Sequence, residues 1–154
     1  MLNNDYKDIL LALSNRKAKF LLVGAYAMAV HGYPRSTMDI DLWVKSDPVN
    51  AILVLQALED FGAPSDNLTQ NDLQKEELIF QIGVAPRRID IITSVDGLNF
   101  EEAFENSKTV EIEEIPIQVL SINDLIKNKR STGRNKDLVD AESLEDLLKK
   151  DDVE

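Results

Sequence analysis

The chain of 154 residues contains no cysteine and a single histidine, His31. Without thiols it can form no disulfide, and cysteine nucleophiles and cysteine-ligated zinc sites are excluded. With one histidine, a histidine-rich metal centre is excluded as well. These counts favour oxygen ligands for any metal site in this protein.

The sequence also lacks an apolar run long enough to span a membrane, and its first residues lack the basic start of a secretory signal. We therefore expect a cytoplasmic protein with no membrane partner. Lys and Arg number 17 against 28 Asp and Glu, which gives a net charge of −11. Because phosphate contacts require cationic side chains, this charge argues against broad nucleic-acid binding. One local exception is a basic cluster within residues 127–136: Lys127, Lys129, Arg130, Arg134 and Lys136.

A hydrophobic fraction of 44% and a charged fraction of 29% are typical of a globular protein. The length favours one domain over residues 1–154. The apolar spacing predicts helices and strands in mixed order, with caps at Asp47-Pro48 and Ser121. We predict helices over 5–16, 25–30, 48–61, 100–106, from 121 and over 136–150, and strands over 19–23, 39–44, 78–82, 87–93, 109–112 and 117–120. This order predicts an α/β or α+β fold, with a mixed sheet flanked by helices.

Three aspartates fall in two of the predicted strands. Asp39 and Asp41 are one residue apart, and Asp90 lies in the run Arg88-Ile89-Asp90-Ile91-Ile92. Because side chains alternate along a strand, Asp39 and Asp41 point to the same side while Ile40 and Leu42 point into the core. Neighbouring like charges cost stability unless a cation lies between them. A hard divalent cation such as Mg²⁺ is the usual solution at phosphoryl-transfer sites.

The arrangement resembles the DNA polymerase β-like nucleotidyltransferase superfamily, in which a Gly-containing turn precedes two carboxylates one residue apart and a third carboxylate comes from a later strand. The matching elements are Gly24-Ala25, then Asp39-Ile40-Asp41, then Asp90. The finer pattern is similar to the small bacterial branch near the AbiEii and MNT-type toxin nucleotidyltransferases, through Val23–Ala27, His31-Gly32, Arg35, Thr37, 126–129 and 133–140. The resemblance covers about residues 20–145.

This resemblance implies a role for each matching residue. Asp39, Asp41 and Asp90 would bind Mg²⁺, with Mn²⁺ as an alternative, and would act as the catalytic residues. The nucleoside triphosphate would be bound by five further residues: Gly24, Ala25, Arg35, Thr37 and Lys129. A nucleoside monophosphate would be transferred to a hydroxyl, and pyrophosphate would leave. The superfamily often has Gly or Ser where this chain has Ala25, so a hydroxyl contact to phosphate is lost there, but the backbone N–H is kept.

The acceptor and partners are left open by the sequence. Candidate acceptors are a tRNA 3′ end, a protein hydroxyl and a small-molecule hydroxyl, and the acceptor could dock on a partner protein or across a homodimer. The likeness to toxins raises a toxin–antitoxin role with a cognate antitoxin. The alternative from another class is a catalytically silent module that senses a nucleotide or binds a partner on the same scaffold.

Several residues also have a structural interpretation. Asp90 could form an ion pair with Arg87 or Arg88, and Asp96 is the alternative third carboxylate. We expect His31 to close a short helix through a hydrogen bond, and Trp43 to pack under a covering helix. The basic cluster could be a solvated helix face, with Asp137 and Asp140 pairing locally with Arg134 and Lys136.

Overall fold

The computed structural model describes residues 3–33, 39–84 and 87–153. The six helices of these ranges are α1 (Asn4–Asn15), α2 (Gly24–Val30), α3 (Pro48–Phe61), α4 (Phe100–Asn106), α5 (Ile122–Thr132) and α6 (Asn135–Val153). The strands are β1 (Phe20–Val23), β2 (Ile40–Val44), β3 (Ile79–Ile82), β4 (Ile89–Ile92), β5 (Lys108–Ile112) and β6 (Ile115–Val119). A single 3-10 turn, Asp72–Gln74, interrupts the polar stretch after α3.

The strands form one mixed sheet in the order β3-β4-β2-β1-β6-β5. β1 pairs with β2 antiparallel and with β6 parallel, while β2 and β4 are parallel neighbours. The hairpins β3–β4 and β5–β6 extend the two sides of the sheet. The predicted mixed sheet with flanking helices is therefore confirmed, and the strands predicted over 78–82 and 87–93 pair with each other as antiparallel neighbours.

Local sequence signals fix the helix boundaries. The Asp47 carboxylate accepts the N–H of Asn50 at the start of α3, and Gly62 ends that helix in the left-handed conformation, with φ +89°. The Ser121 hydroxyl accepts the N–H of Asp124 at the start of α5. Both predicted N-caps are thus confirmed.

The core lies on the face of β2 that carries Ile40, Leu42 and Val44, all buried. Helix α1 packs against α3 and β6, and α2 packs against β1, β2 and α5. On the aspartate side of β2, Trp43 is buried against Phe100 of α4, with ring centroids 5.1 Å apart in an edge-to-face arrangement. The predicted packing of Trp43 under a covering helix is confirmed.

A buried asparagine ties α3 to the sheet. The Asn50 side chain accepts the N–H of Lys19 at 2.7 Å and donates to the carbonyls of Lys19 at 3.0 Å and Lys45 at 2.9 Å. These contacts join the residue before β1 to the residue after β2. Because Asn50 is 3% exposed, its hydrogen bonds are sheltered from water and replace bonds that the sheet cannot supply there.

Within the described ranges, the helices are too short or too polar for any of them to cross a membrane.

We expect Asn50→Ala to lower the free energy of unfolding by about 2–4 kcal/mol, because it removes the partners of the Lys19 N–H and the Lys45 carbonyl. Urea denaturation measures the change. The control is Glu59→Ala on the exposed side of the same helix, which should change stability by less than about 0.5 kcal/mol. Equal effects of the two substitutions would contradict the assigned role of Asn50.

Candidate functional site

The sheet topology brings two of the three aspartates side by side. In the parallel pair β2–β4, Asp41 is the register partner of Asp90, so both side chains lie on the same face of the sheet. In the antiparallel pair β1–β2, Asp41 is the register partner of Val23, which precedes Gly24. The end of β1 and the beginnings of β2 and β4 therefore meet at one place.

Gly24 makes the close approach to Asp41 possible. It opens α2 with φ +69°, and a Cβ at this position would overlap the Asp41 Oδ2 atom and lie 3.2 Å from its Cγ atom. Glycine alone combines this backbone conformation with the absence of a side chain. The turn between β1 and α2 is thus shaped around the carboxylate of Asp41.

Arg88 lies between the other carboxylates. Its Nε atom donates to Asp90 Oδ1 at 2.8 Å, and its Nη2 atom is 3.3 Å from Asp90 Oδ2 and 3.4 Å from Asp39 Oδ2. The backbone N–H of Arg88 also donates to Asp39 Oδ1 at 2.9 Å. The ion pair between Asp90 and Arg88, which was one of two interpretations of the sequence, is present.

The charge balance at the site is incomplete at Asp41. The pKa of this carboxyl is raised from its ordinary 3.8 to about 6, first by burial and then by the neighbouring Asp90 and Asp39, against the lowering effect of Arg88. The pKa of Arg88 is itself raised, chiefly by its hydrogen bond to Asp90 and the charge of that carboxylate. One guanidinium therefore does not neutralise three carboxylates.

The donor atoms suit a hard divalent cation, because three carboxylates supply only oxygen ligands. The raised pKa of Asp41 indicates that the negative charge of this carboxylate is not fully compensated by neighbouring cations. In the described part of the chain, however, no group of three His, Cys, Asp or Glu side chains stands ready to hold a metal ion. Arg88 takes the position between Asp39 and Asp90 instead, so a cation could use all three ligands only after Arg88 moved.

A cleft of about 410 Å³ opens beside Asp41. Gly24, Asp41, Lys129 and Arg134 all line this cleft. Apolar side chains of β3 and β4 and the loop after β4 complete the lining: Leu78, Ile79, Ile92 and Val95. The loop is held against α5 by a hydrogen bond from Asn128 to the carbonyl of Asp96 at 3.0 Å. The structure therefore brings Gly24, Asp41 and Lys129 to one cleft.

Lys129 is held by two acidic side chains of α6. Its Nζ atom lies 3.3 Å from Asp137 Oδ1 and 3.4 Å from Asp140 Oδ2, and its side chain is 16% exposed. Burial by itself raises the pKa of Asp137, but hydrogen bonding to Thr132 and the charges of Lys129 and Arg134 outweigh it and lower the pKa. This network was not foreseen from the sequence: Asp137 does contact Arg134, but it also holds Lys129, as does Asp140.

The remaining sequence candidates fall in different places. Ala25 is the second residue of α2, next to the cleft-lining Gly24. Arg35 and Thr37 lie outside the described residues. His31 follows α2, and its Nε2 atom lies 2.8 Å from the carbonyl oxygen of Leu120, so the side chain ties the end of α2 to the residue after β6 and does not close the helix itself.

Tyr6 is a residue that the sequence did not single out. It is fully buried in α1, its hydroxyl donates to the carbonyl of Arg88 at 3.3 Å, and its ring meets Tyr26 edge-to-face. Burial, followed by the influence of Tyr26, raises the pKa of Tyr6 to about 12, so the hydroxyl stays protonated as a donor. Tyr6 thus links α1 and α2 to the backbone that carries Arg88. A tyrosine on an amphipathic helix gives no sequence signal for such a long-range contact.

Comparisons with known proteins agree with this geometry. A family model described as "Nucleotidyltransferase of unknown function (DUF6036)" matches residues 2–154. A crystal structure of a "putative nucleotidyltransferase" from Thermotoga maritima is similar in fold, with a TM-score of 0.61 and 15% identity over 97% of this chain and 96% of that chain. No curated protein matches the sequence.

We expect Asp41→Asn to stabilise the metal-free protein. Because the folded-state pKa lies above the ordinary value, the wild-type protein loses stability as the pH rises from 3.8 to about 6 and stays less stable above that. The amide removes this cost, so the variant should gain at most about 3 kcal/mol near pH 8. Urea denaturation at several pH values measures the difference.

The gain from Asp41→Asn should disappear near pH 4, because the wild-type carboxyl is then protonated in the folded protein. The control Asp60→Asn removes a carboxylate from an exposed ion pair with Arg16, and should change stability little at any pH, because solvent screens such pairs. A loss of stability in Asp41→Asn near pH 8 would contradict the assigned charge imbalance.

We expect Gly24→Ala to destabilise the protein and to disturb Asp41, because the new methyl group adds backbone strain and overlaps the carboxylate. The expected loss is about 1–3 kcal/mol by thermal or urea unfolding. Gly62→Ala, at a positive φ in open space, is the matched control for strain alone. If the two substitutions cost the same, the contact between Gly24 and Asp41 has no energetic role.

Proposed function

The chain belongs to the DUF6036 family of nucleotidyltransferases, and we propose that it transfers a nucleoside monophosphate from a nucleoside triphosphate to a hydroxyl acceptor with Mg²⁺. The observation that carries this proposal is the pairing of Asp41 and Asp90 on adjacent parallel strands, directly beside the Gly24 turn. A triphosphate needs backbone N–H groups and cations for its charge, next to oxygen ligands for its metal. The site offers all three kinds of group.

We assign the metal ligands to Asp39, Asp41 and Asp90. Magnesium bound there, or manganese in its place, would neutralise the triphosphate and make the attacking oxygen more nucleophilic. In the reaction an acceptor oxygen bonds to the α-phosphorus, the bond from that phosphorus to the bridging oxygen breaks, and pyrophosphate leaves. We assign to Asp90 of β4, the register partner of Asp41, the role of accepting the acceptor's proton.

The triphosphate would lie in the cleft between Gly24 and Lys129. The N–H groups of Gly24 and Ala25 begin a helix that follows directly from β1, an arrangement that favours phosphate oxygens. Of its three N–H donors, Lys129 gives one to Asp137 and also forms an ion pair with Asp140. A remaining donor would bind a phosphate oxygen, so the two aspartates would position Lys129 without removing it from binding. Arg35 and Thr37 stay predicted contacts.

The charge pattern favours a small-molecule or protein hydroxyl as the acceptor over a tRNA 3′ end. In the basic cluster, Lys129 and Arg134 contact Asp137, and Arg130 pairs with Glu145. These acidic partners reduce the cationic surface that an RNA backbone requires. The likeness to the AbiEii and MNT-type toxins, with a cognate antitoxin, belongs to the same proposal, and growth arrest on expression would support it.

A catalytically silent nucleotide sensor is the second candidate. The contact of Arg88 with both Asp39 and Asp90 favours it, because a permanent guanidinium between the carboxylates would exclude the metal. The two candidates differ in turnover, so the decisive measurement is nucleotide transfer itself.

We expect the protein with Mg²⁺ and an α-labelled nucleoside triphosphate to label an acceptor in a bacterial extract. Asp41→Asn and Asp90→Asn should lower the transfer by a factor on the order of 10²–10⁴, because each removes a carboxylate from the reacting centre. Separating the labelled extract into RNA, protein and small molecules identifies the acceptor class.

Asp96→Asn is the matched control, since Asp96 lies in the loop that lines the same cleft and is the alternative third carboxylate. It should keep most of the activity. Loss of transfer in Asp96→Asn, with activity kept in Asp90→Asn, would reverse the assignment of the third ligand. Triphosphate binding without transfer would indicate the sensor.

A further inference from the structure

The position of Arg88 has a consequence for how the site takes up a metal ion. We propose that Arg88 is a built-in counter-cation, which balances the carboxylates of the free protein and is displaced when a divalent cation binds. This inference rests on the proposed function, because it concerns the same carboxylates. In addition to the proposed function, Arg88 would compete with the metal for the carboxylates. The protein would therefore bind the free ion more weakly than the same three carboxylates would without Arg88.

The geometry supports the first half of this proposal. Arg88 reaches Asp90 through two nitrogen atoms, at 2.8 and 3.3 Å, and Asp39 through one, at 3.4 Å. The Asp90 side chain is 11% exposed, so an unpaired charge there would be costly. A guanidinium that binds both carboxylates holds the positive charge where a bridging divalent cation would hold its own.

The displacement of Arg88 is possible because the structure holds its backbone but leaves its side chain partly exposed. Its backbone is fixed, because its N–H donates to Asp39 and its carbonyl accepts from Tyr6. Its side chain is 30% exposed, so the guanidinium can leave toward solvent while the strand stays in place. The movement needs rotation about side-chain bonds only, and such rotations are fast in partly exposed residues.

The competition lowers the apparent affinity for the metal. A cation that must bridge Asp39 and Asp90 finds its ligands free only in the fraction of molecules whose Arg88 has moved out, and the apparent Kd rises accordingly. A nucleoside triphosphate changes this balance, because its phosphates offer the displaced guanidinium a new anionic partner. The metal should therefore bind better together with the triphosphate than alone.

The test is the binding of Mn²⁺ alone, measured by electron paramagnetic resonance with no nucleotide present. We expect Arg88→Gln to bind Mn²⁺ more tightly than the wild type, by on the order of tenfold, because the competing charge is gone. Arg87→Gln is the matched control: it removes the same charge one residue away, from a side chain whose charge acts on Tyr6, and should change the affinity far less. Equal affinities in the wild type and Arg88→Gln would overturn the proposal.

Stability gives a second readout. Without metal, Arg88→Gln should melt at a lower temperature than Arg87→Gln, since Asp39 and Asp90 lose their partner, and Mn²⁺ should raise its melting temperature by more than that of the wild type. An equal or smaller rise would count against displacement.

A measurement on the wild-type protein covers the case in which Arg88→Gln does not fold. The Nε–H signal of Arg88 in a ¹⁵N spectrum, assigned with Arg88→Lys, should shift when Mg²⁺ and a non-hydrolysable triphosphate are added together. A signal unchanged at saturation would show that Arg88 stays on Asp90, and would refute the proposal. These binding results are independent of turnover: tight Mn²⁺ binding by Arg88→Gln without any nucleotide transfer would leave this inference standing while the proposed function failed.

Discussion

Repulsion between three carboxylates, which lie close together where β2 and β4 begin, is the constraint on which this site depends. Asp41 and Asp90 are register partners on parallel strands, and Asp39 shares a guanidinium with Asp90. The fold cannot separate these charges, because the strand pairing that builds the core also aligns them. The molecule tolerates them through a neighbouring arginine and through a raised pKa at Asp41. Neither the arginine nor the raised pKa removes the repulsion fully, so the site still lacks positive charge.

A second group of opposite charges lines the same cleft, and in this group a cation is surrounded by carboxylates. Lys129 is held by Asp137 and Asp140, so a cation that lines the cleft together with Asp41 is itself fixed by acidic side chains. A lysine without such partners would sample many rotamers and would lose entropy when it bound a phosphate. Both groups of charges are thus placed in advance, which lowers the cost of ordering them when a ligand arrives. The net charge of −11 lies mostly outside this arrangement.

Most of the fold was predictable because its signals are local. The cap at Asp47 and the cap at Ser121 each act within one helical turn, and both were recognised from the sequence. The alternation along β2 also placed Asp41 and Trp43 on one face correctly. The partners of Lys129 were not predicted. The sequence left open a local pairing of Asp137 and Asp140 with Arg134 and Lys136, but the Asp140 carboxylate contacts Lys129. That contact depends on the angle between α5 and α6 across Gly133, which no residue spacing encodes. The contact of Tyr6 with Arg88, 82 residues apart, is of the same kind.

Arg88 shows why the sequence left the site ambiguous. Its position two residues before Asp90 puts both side chains on one face, a pattern that fits an ion pair as well as a substrate contact. The structure shows the ion pair, and it also shows that Asp41 keeps an unfavourable charge in spite of it. If the site were arranged only for stability of the fold, a neutral residue at position 41 would be better than an aspartate, because burial penalises the charge of Asp41 even with Arg88 nearby. An aspartate with a raised pKa, packed closely against Gly24, is a cost to the folded protein. Such a cost is typical of groups arranged for a ligand, and the ligand that would remove it must bring positive charge.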